Sequence, residues 1–188
     1  MNIHQLQLSY QTEHDRLLLR LNTHSGEELR LWLTRRMIMN LFPHMIAVSR
    51  ALDAGSAQGS SHDGADANAL HQFRKQESLQ KADFQTPFHT QAGVLPLGNE
   101  PLLATTVHVT PREGGALQLA FEENLSGASA NRRFEVVLAP PLLHGFMHLL
   151  ETALKQSNWG IALADGATPI DNATVDALAT AEPPKYLN

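Results

Sequence analysis

The sequence contains no cysteine. That excludes disulfides, thiolate-ligated zinc, iron–sulfur clusters held by thiolates and thiol catalysis, so cohesion has to come from packing. Long apolar runs are missing too: none approaches the roughly 18 residues of a membrane span. The first residues, MNIHQLQLSY, alternate polar and apolar where a secretory signal would be continuously apolar. A soluble, cytoplasmic protein without a membrane partner is the expectation. An excess of positive charge is absent as well. Fourteen Lys and Arg stand against nineteen Asp and Glu, giving a net charge of −5 with the ten histidines neutral. There is thus no global attraction to a phosphate backbone, and a nucleic-acid partner would need a locally basic patch. Finally, no phosphate-cradling glycine loop, nucleophile elbow or paired-carboxylate motif stands out. This weighs against an enzyme, and no cofactor is expected.

What is present is hydrophobic pattern, in a chain of 188 residues of which 43% are apolar. From Glu28 to Leu33 the leucines at 29, 31 and 33 alternate with Glu28, Arg30 and Trp32, the two-residue period of a strand with one buried face. After Thr34 the spacing becomes helical: Met37, Leu41, Met45, Val48 and Leu52 form a stripe, Ile38 and Phe42 widen it, and Thr34 is placed to cap the first turn. Pro43 sits where it would bend or interrupt that helix. Upstream, Leu6, Leu8 and Tyr10 alternate, as do Leu17, Leu19 and Leu21, with turn-like residues between the two runs. Residues 1–53 therefore predict three antiparallel strands followed by a helix.

The same order recurs over residues 101–160. Val107 and Val109 correspond to Leu6 and Leu8; Leu117, Leu119 and Phe121 to Leu17, Leu19 and Leu21; Phe134, Val136 and Leu138 to Leu29, Leu31 and Leu33. Leu142, Leu143, Phe146, Met147 and Leu150 then match Met37, Ile38, Leu41, Phe42 and Met45. The predicted fold is α+β, a divergent duplication of βββα with helices packed on sheets. Between the copies, 54–100 reads as a flexible linker, with a short polar helix over 68–82 that would dock through Leu70, Phe73 and Leu79. Residues 161–188 read as a weakly ordered tail. The helix 35–52 carries more apolar residues than one buried side requires. It is expected either between the two halves of a monomer or in a homo-oligomer interface.

In element order alone, two antiparallel sheets each followed by a helix resemble the PC4-like and Whirly-type single-stranded nucleic-acid-binding proteins, and the resemblance implies that ligand class. The residues that would serve it are Arg16, Arg20, Arg30 and Trp32 on the outward face of the first sheet, with Arg35 and Arg36 just beyond. Guanidinium groups around an indole suit stacking a base while holding a phosphate. The same residues serve equally as a solvated face with Arg–Glu cross-strand pairs, Glu28 being the natural partner. On the last helix, His144, His148 and Glu151 fall on one face, where two imidazoles and a carboxylate could share a divalent metal. They fit as well on the ordinary polar side of an amphipathic helix. The pattern as a whole points first to a non-enzymatic binding or assembly module.

Overall fold

The computed structural model describes residues 3–55, 64–84, 86–89, 93–126 and 131–161. Strands β1 (Ile3–Gln11), β2 (Arg16–Thr23) and β3 (Glu28–Thr34) form an antiparallel meander that leads into helix α1 (Arg35–Gly55). Helix α2 (Gly64–Lys81) follows, then a two-residue strand β4 (Leu102–Leu103). Strands β5 (Thr106–Pro111), β6 (Leu117–Glu123) and β7 (Arg132–Leu138) form a second antiparallel meander ending in helix α3 (Pro140–Ser157). The architecture is α+β, with sheets ordered β1-β2-β3-β4 and β5-β6-β7. No helix among the described residues is long and apolar enough to cross a membrane.

The change of period at Thr34 is the junction between β3 and α1. Thr34 Oγ1 accepts the Met37 amide at 3.2 Å, satisfying one of the helix's orphan donors. The helix then runs through Pro43, which lies on its exposed side. In β2 the alternation is complete: Leu17, Leu19, Leu21 and Thr23 are buried, and the residues between them are half-exposed.

The two halves are interlocked. Helix α1 packs on β3 of its own half and on β5 of the other, while α3 packs on its own β7 and on β1 of the first half. Leucines of both sheets and the inner sides of both helices consequently form one cluster, with Leu17, Leu31, Leu33, Ile38, Met45, Leu117, Phe121 and Leu150 fully buried. At roughly 1.5–3 kcal/mol for each fully buried large apolar side chain, this core is the main cohesive term. The apolar stripe of α1 is covered within the chain, chiefly through Ile38, Leu41, Phe42 and Met45.

Three features lie beyond the pattern. Part of the stretch read as linker is the 18-residue α2, which begins four residues earlier than expected. Its docking side also differs, since Phe73 is 66% exposed and His71 is buried. Strand β4 pairs in parallel with β3, Leu31 opposite Leu102, and hands the chain across to the second sheet. Residues 56–63, the middle of the glycine- and serine-rich segment, lie outside the described residues, as do 127–130 of the longer second-half loop and the tail from 162 onward.

The crossing between sheets is fastened by a part-buried ion pair. Glu123, at the end of β6, accepts from the Leu103 amide at 2.8 Å and from Arg132 Nη2 at 2.7 Å. Arg132 Nη1 reaches the carbonyls of Leu97 and Glu100, each at 2.8 Å. The Arg132 guanidinium holds the Glu123 carboxyl below its ordinary value of 4.5, against the opposing effect of burial. Because the folded-state value is the lower one, the stabilisation is fully present above the ordinary carboxylate range and is lost as pH falls through the folded value. Glu123→Gln is expected to lower stability near neutral pH and to flatten its decline below pH 4.5, which denaturant melts of both proteins at pH 3 to 7 will read.

Candidate functional site

The outward face of the first sheet is built as its residue spacing implies. The β2–β3 register sets Arg20 opposite Arg30, Leu18 opposite Trp32 and Arg16 opposite Thr34. The two central arginines are committed internally. Arg20 pairs with buried Glu28 at 2.8 Å, donates to Gln7 Oε1, and lies 4.4 Å from the centre of the Phe88 ring. Arg30 Nη2 donates to the Asn99 carbonyl at 2.8 Å. Arg35 Nη2 donates to the Trp159 carbonyl at 3.0 Å, and the His14 ring meets Trp32 edge-on at 5.1 Å. Arg36 is exposed and Arg16 half-exposed. On the second sheet the corresponding face carries its own network, with Arg133 paired to Glu122 and Glu135.

Two grooves follow from the interlocked helices. One lies between β1 and α3, about 680 Å³, and the other between α1 and β5, about 580 Å³. They are related by the duplication: Arg36, Met37, Asn40, Leu41 and His44 line the second where Pro141, Leu142, Gly145, Phe146 and Leu149 line the first. Their difference is the segment after α2. It passes along β1 and forms a further wall of the first groove through Phe84, Pro87 and Phe88. Gln5 holds it there, accepting the His89 amide at 2.9 Å and donating to the Pro87 carbonyl at 3.3 Å, and Asn22 Nδ2 donates to the His89 carbonyl at 2.7 Å. No described segment plays this part for β5, which is an outer strand of its sheet.

The histidines of α3 separate. His144 turns inward and is 2% exposed. The His148 ring meets Phe84 edge-on at 5.2 Å, and Glu151 accepts Lys75 Nζ at 2.7 Å. His144 instead joins two residues from other helices, Asp53 of α1 and His71 of α2. Asp53 Oδ2 lies 2.6 Å from His71 Nδ1 and 3.2 Å from His144 Nε2, and His144 Nδ1 lies 2.9 Å from Ser78 Oγ. Burial alone would push the Asp53 carboxyl up, but the hydrogen bonds from His144 and His71 hold it well below the ordinary carboxylate range. Asp53 was open to detection in the sequence. It continues the spacing of Ile38, Phe42, Met45 and Ser49, all buried, and an acid at the end of a buried stripe requires a partner. His71 and Ser78 gave no such signal, because the side of α2 that they share with Arg74 and Lys75 is polar throughout.

No protein-family model, curated protein or solved structure matches the chain.

The Arg20–Glu28 pair gives a direct test of how the arginine face is employed. Arg20→Met would leave Glu28 buried without its close partner and is expected to cost on the order of 3 kcal/mol in thermal or denaturant melts. Adding Glu28→Gln should restore most of that loss; a single Arg20→Met variant as stable as the parent would show that the pair is not structural.

Proposed function

We propose that the chain is a non-enzymatic binding module that takes an extended peptide segment in the groove between α1 and β5. The observation that carries this reading is the asymmetry of the two grooves. The chain's own Thr86–His89 walls one groove, held by side chains of β1 and β2, whereas the equivalent groove has no such companion among the described residues. An outer strand offers a row of backbone donors and acceptors, and proteins cover such edges or use them to add a strand. The lining favours an apolar ligand at its centre, through Leu41, Val107 and Val109, with Thr106, Asn40 and His44 as polar points. Exposed Arg36 at one end favours an acidic flank.

Selection of peptides from a random library against the immobilised chain, followed by titration of the winners, tests this. Asn40→Trp fills the groove from an exposed position and is expected to weaken binding at least tenfold, while Phe84→Ala at the other groove leaves it unchanged. Peptides indifferent to Asn40→Trp would overturn the reading.

A second reading, single-stranded nucleic-acid binding, follows from the resemblance in element order and is favoured by the grouping of Arg16, Arg36 and half-exposed Trp32 around the β2–β3 strand ends. Its mark would be affinity that falls with salt at roughly 0.7 in log–log slope per phosphate neutralised. Anisotropy titration of labelled single strands at two salt concentrations, with tryptophan emission followed in parallel, decides it. Absence of binding at low salt removes it.

A further inference from the structure

We propose that Asp53, His71 and His144 form a binding site for one transition-metal dication, Zn²⁺ by preference, that clasps α1, α2 and α3 together. The three candidate ligand atoms lie within 4.8 Å of one another. Ligands about 2.0–2.2 Å from a tetrahedral ion are themselves some 3.4 Å apart, so the 2.6 Å and 3.2 Å contacts of Asp53 Oδ2 with His71 and His144 need to open by about 0.8 Å and 0.2 Å to admit one. All three residues are buried, at 5%, 8% and 2% exposure. Two imidazoles with one carboxylate select zinc-like ions over magnesium or calcium, which prefer all-oxygen sites.

The surroundings fit the same purpose. Ligation through His144 Nε2 places that ring's proton on Nδ1, where Ser78 Oγ stands 2.9 Å away to accept it, the usual support for a metal-bound imidazole. Arg74 Nη1 lies 3.6 Å from Asp53 Oδ1, the oxygen not shared by the histidines, which leaves Oδ2 for the ion.

An independent observation points to a fourth ligand. His71 and His144 both line a small cavity of about 20 Å³, together with Ser49, Arg50, Lys75 and Glu151. That is room for a single water molecule. Ser49 is 1% exposed and its Oγ has no hydrogen-bond partner among the described residues. A metal-bound water in the cavity would supply that partner and complete the coordination. Because the ligands are buried and join three helices, the ion is assigned a structural and not a substrate-handling role. Of the charged residues at the site, Asp53 supplies the one carboxylate that meets the ion directly, since Glu151, which lines the same cavity, is paired with Lys75.

The test uses the full chain stripped by chelator and titrated with Co²⁺ alone, followed by competition with Zn²⁺. One equivalent should bind with the intense visible bands of a four-coordinate site, and Zn²⁺ should abolish them and raise the melting temperature. Asp53→Asn and His71→Gln, which retain polar side chains in the cluster, are expected to weaken Co²⁺ at least a hundredfold. Ser78→Ala, outside the ligand set, should weaken it about ten- to a hundredfold and remains informative if the other variants fail to fold. His24→Gln, from the separate His4–His24 ring pair, should leave binding unchanged. Absence of a stoichiometric site in the parent chain, or binding that survives Asp53→Asn and Ser78→Ala alike, would overturn the proposal.

Discussion

Each three-stranded meander offers one leucine-rich face, and the helix that follows it in sequence does not cover that face alone. Helix α1 reaches across to β5, and α3 reaches back to β1. A half expressed separately would expose the inner side of its first strand, so hydrophobic stability is obtained only when both halves are present. The remaining attachments serve this crossing. Trp159, just past α3, is buried, and its indole donates to Asp15 at 2.6 Å in the turn between β1 and β2, while Tyr10 meets the ring edge-on. Asp15 occupies the left-handed region at φ 47°, a conformation Asp tolerates better than most residues. At the opposite end, Glu123 and Arg132 fasten the connector before β4 to the second sheet.

How much of this could be read from the sequence depended on whether an interface is apolar. The strands of both copies and the α1 and α3 stripes are recorded in two-residue and three-to-four-residue spacings of leucine, methionine and phenylalanine, because those faces meet other apolar faces. The capping threonine was legible for the same local reason. The docking side of helix α2 was not, since it consists of His71, Arg74, Lys75 and Ser78, which contact Asp53, Glu151 and His144. A polar stripe looks solvent-facing until its partners are known. Phe73, the residue a hydrophobic reading would bury, is consequently the one that remains outside. The α3 histidines illustrate the same limit: one helix face carries His144, His148 and Glu151, yet their different neighbours give them three different environments.

The arginine-rich face shows how much of a local charge cluster the fold itself takes up. Three arginines and a tryptophan clustered by strand register, with Arg35 and Arg36 just beyond, suggest an external ligand, but Glu28, the Asn99 carbonyl and the Trp159 carbonyl take up Arg20, Arg30 and Arg35. Phe88 over Arg20 belongs to the same segment that walls the first groove. The connector thus covers part of the sheet face and shapes a groove in one passage.

That passage breaks the symmetry of the duplication. Two copies of βββα, packed crosswise, would generate two equivalent grooves and two equivalent helix ends. The chain between the copies occurs once, so α2 can lie against α1 and α3 in only one place, and the segment after it can follow only one of the two outer strands. The first half gains a walled groove and the second retains an open one. The ends that meet at α2 acquire an aspartate, two histidines and a serine at hydrogen-bonding distance, a set to which neither copy contributes more than one member. Polar chemistry in the interior therefore arises where the inserted helix meets both copies, and the open groove arises where it does not reach.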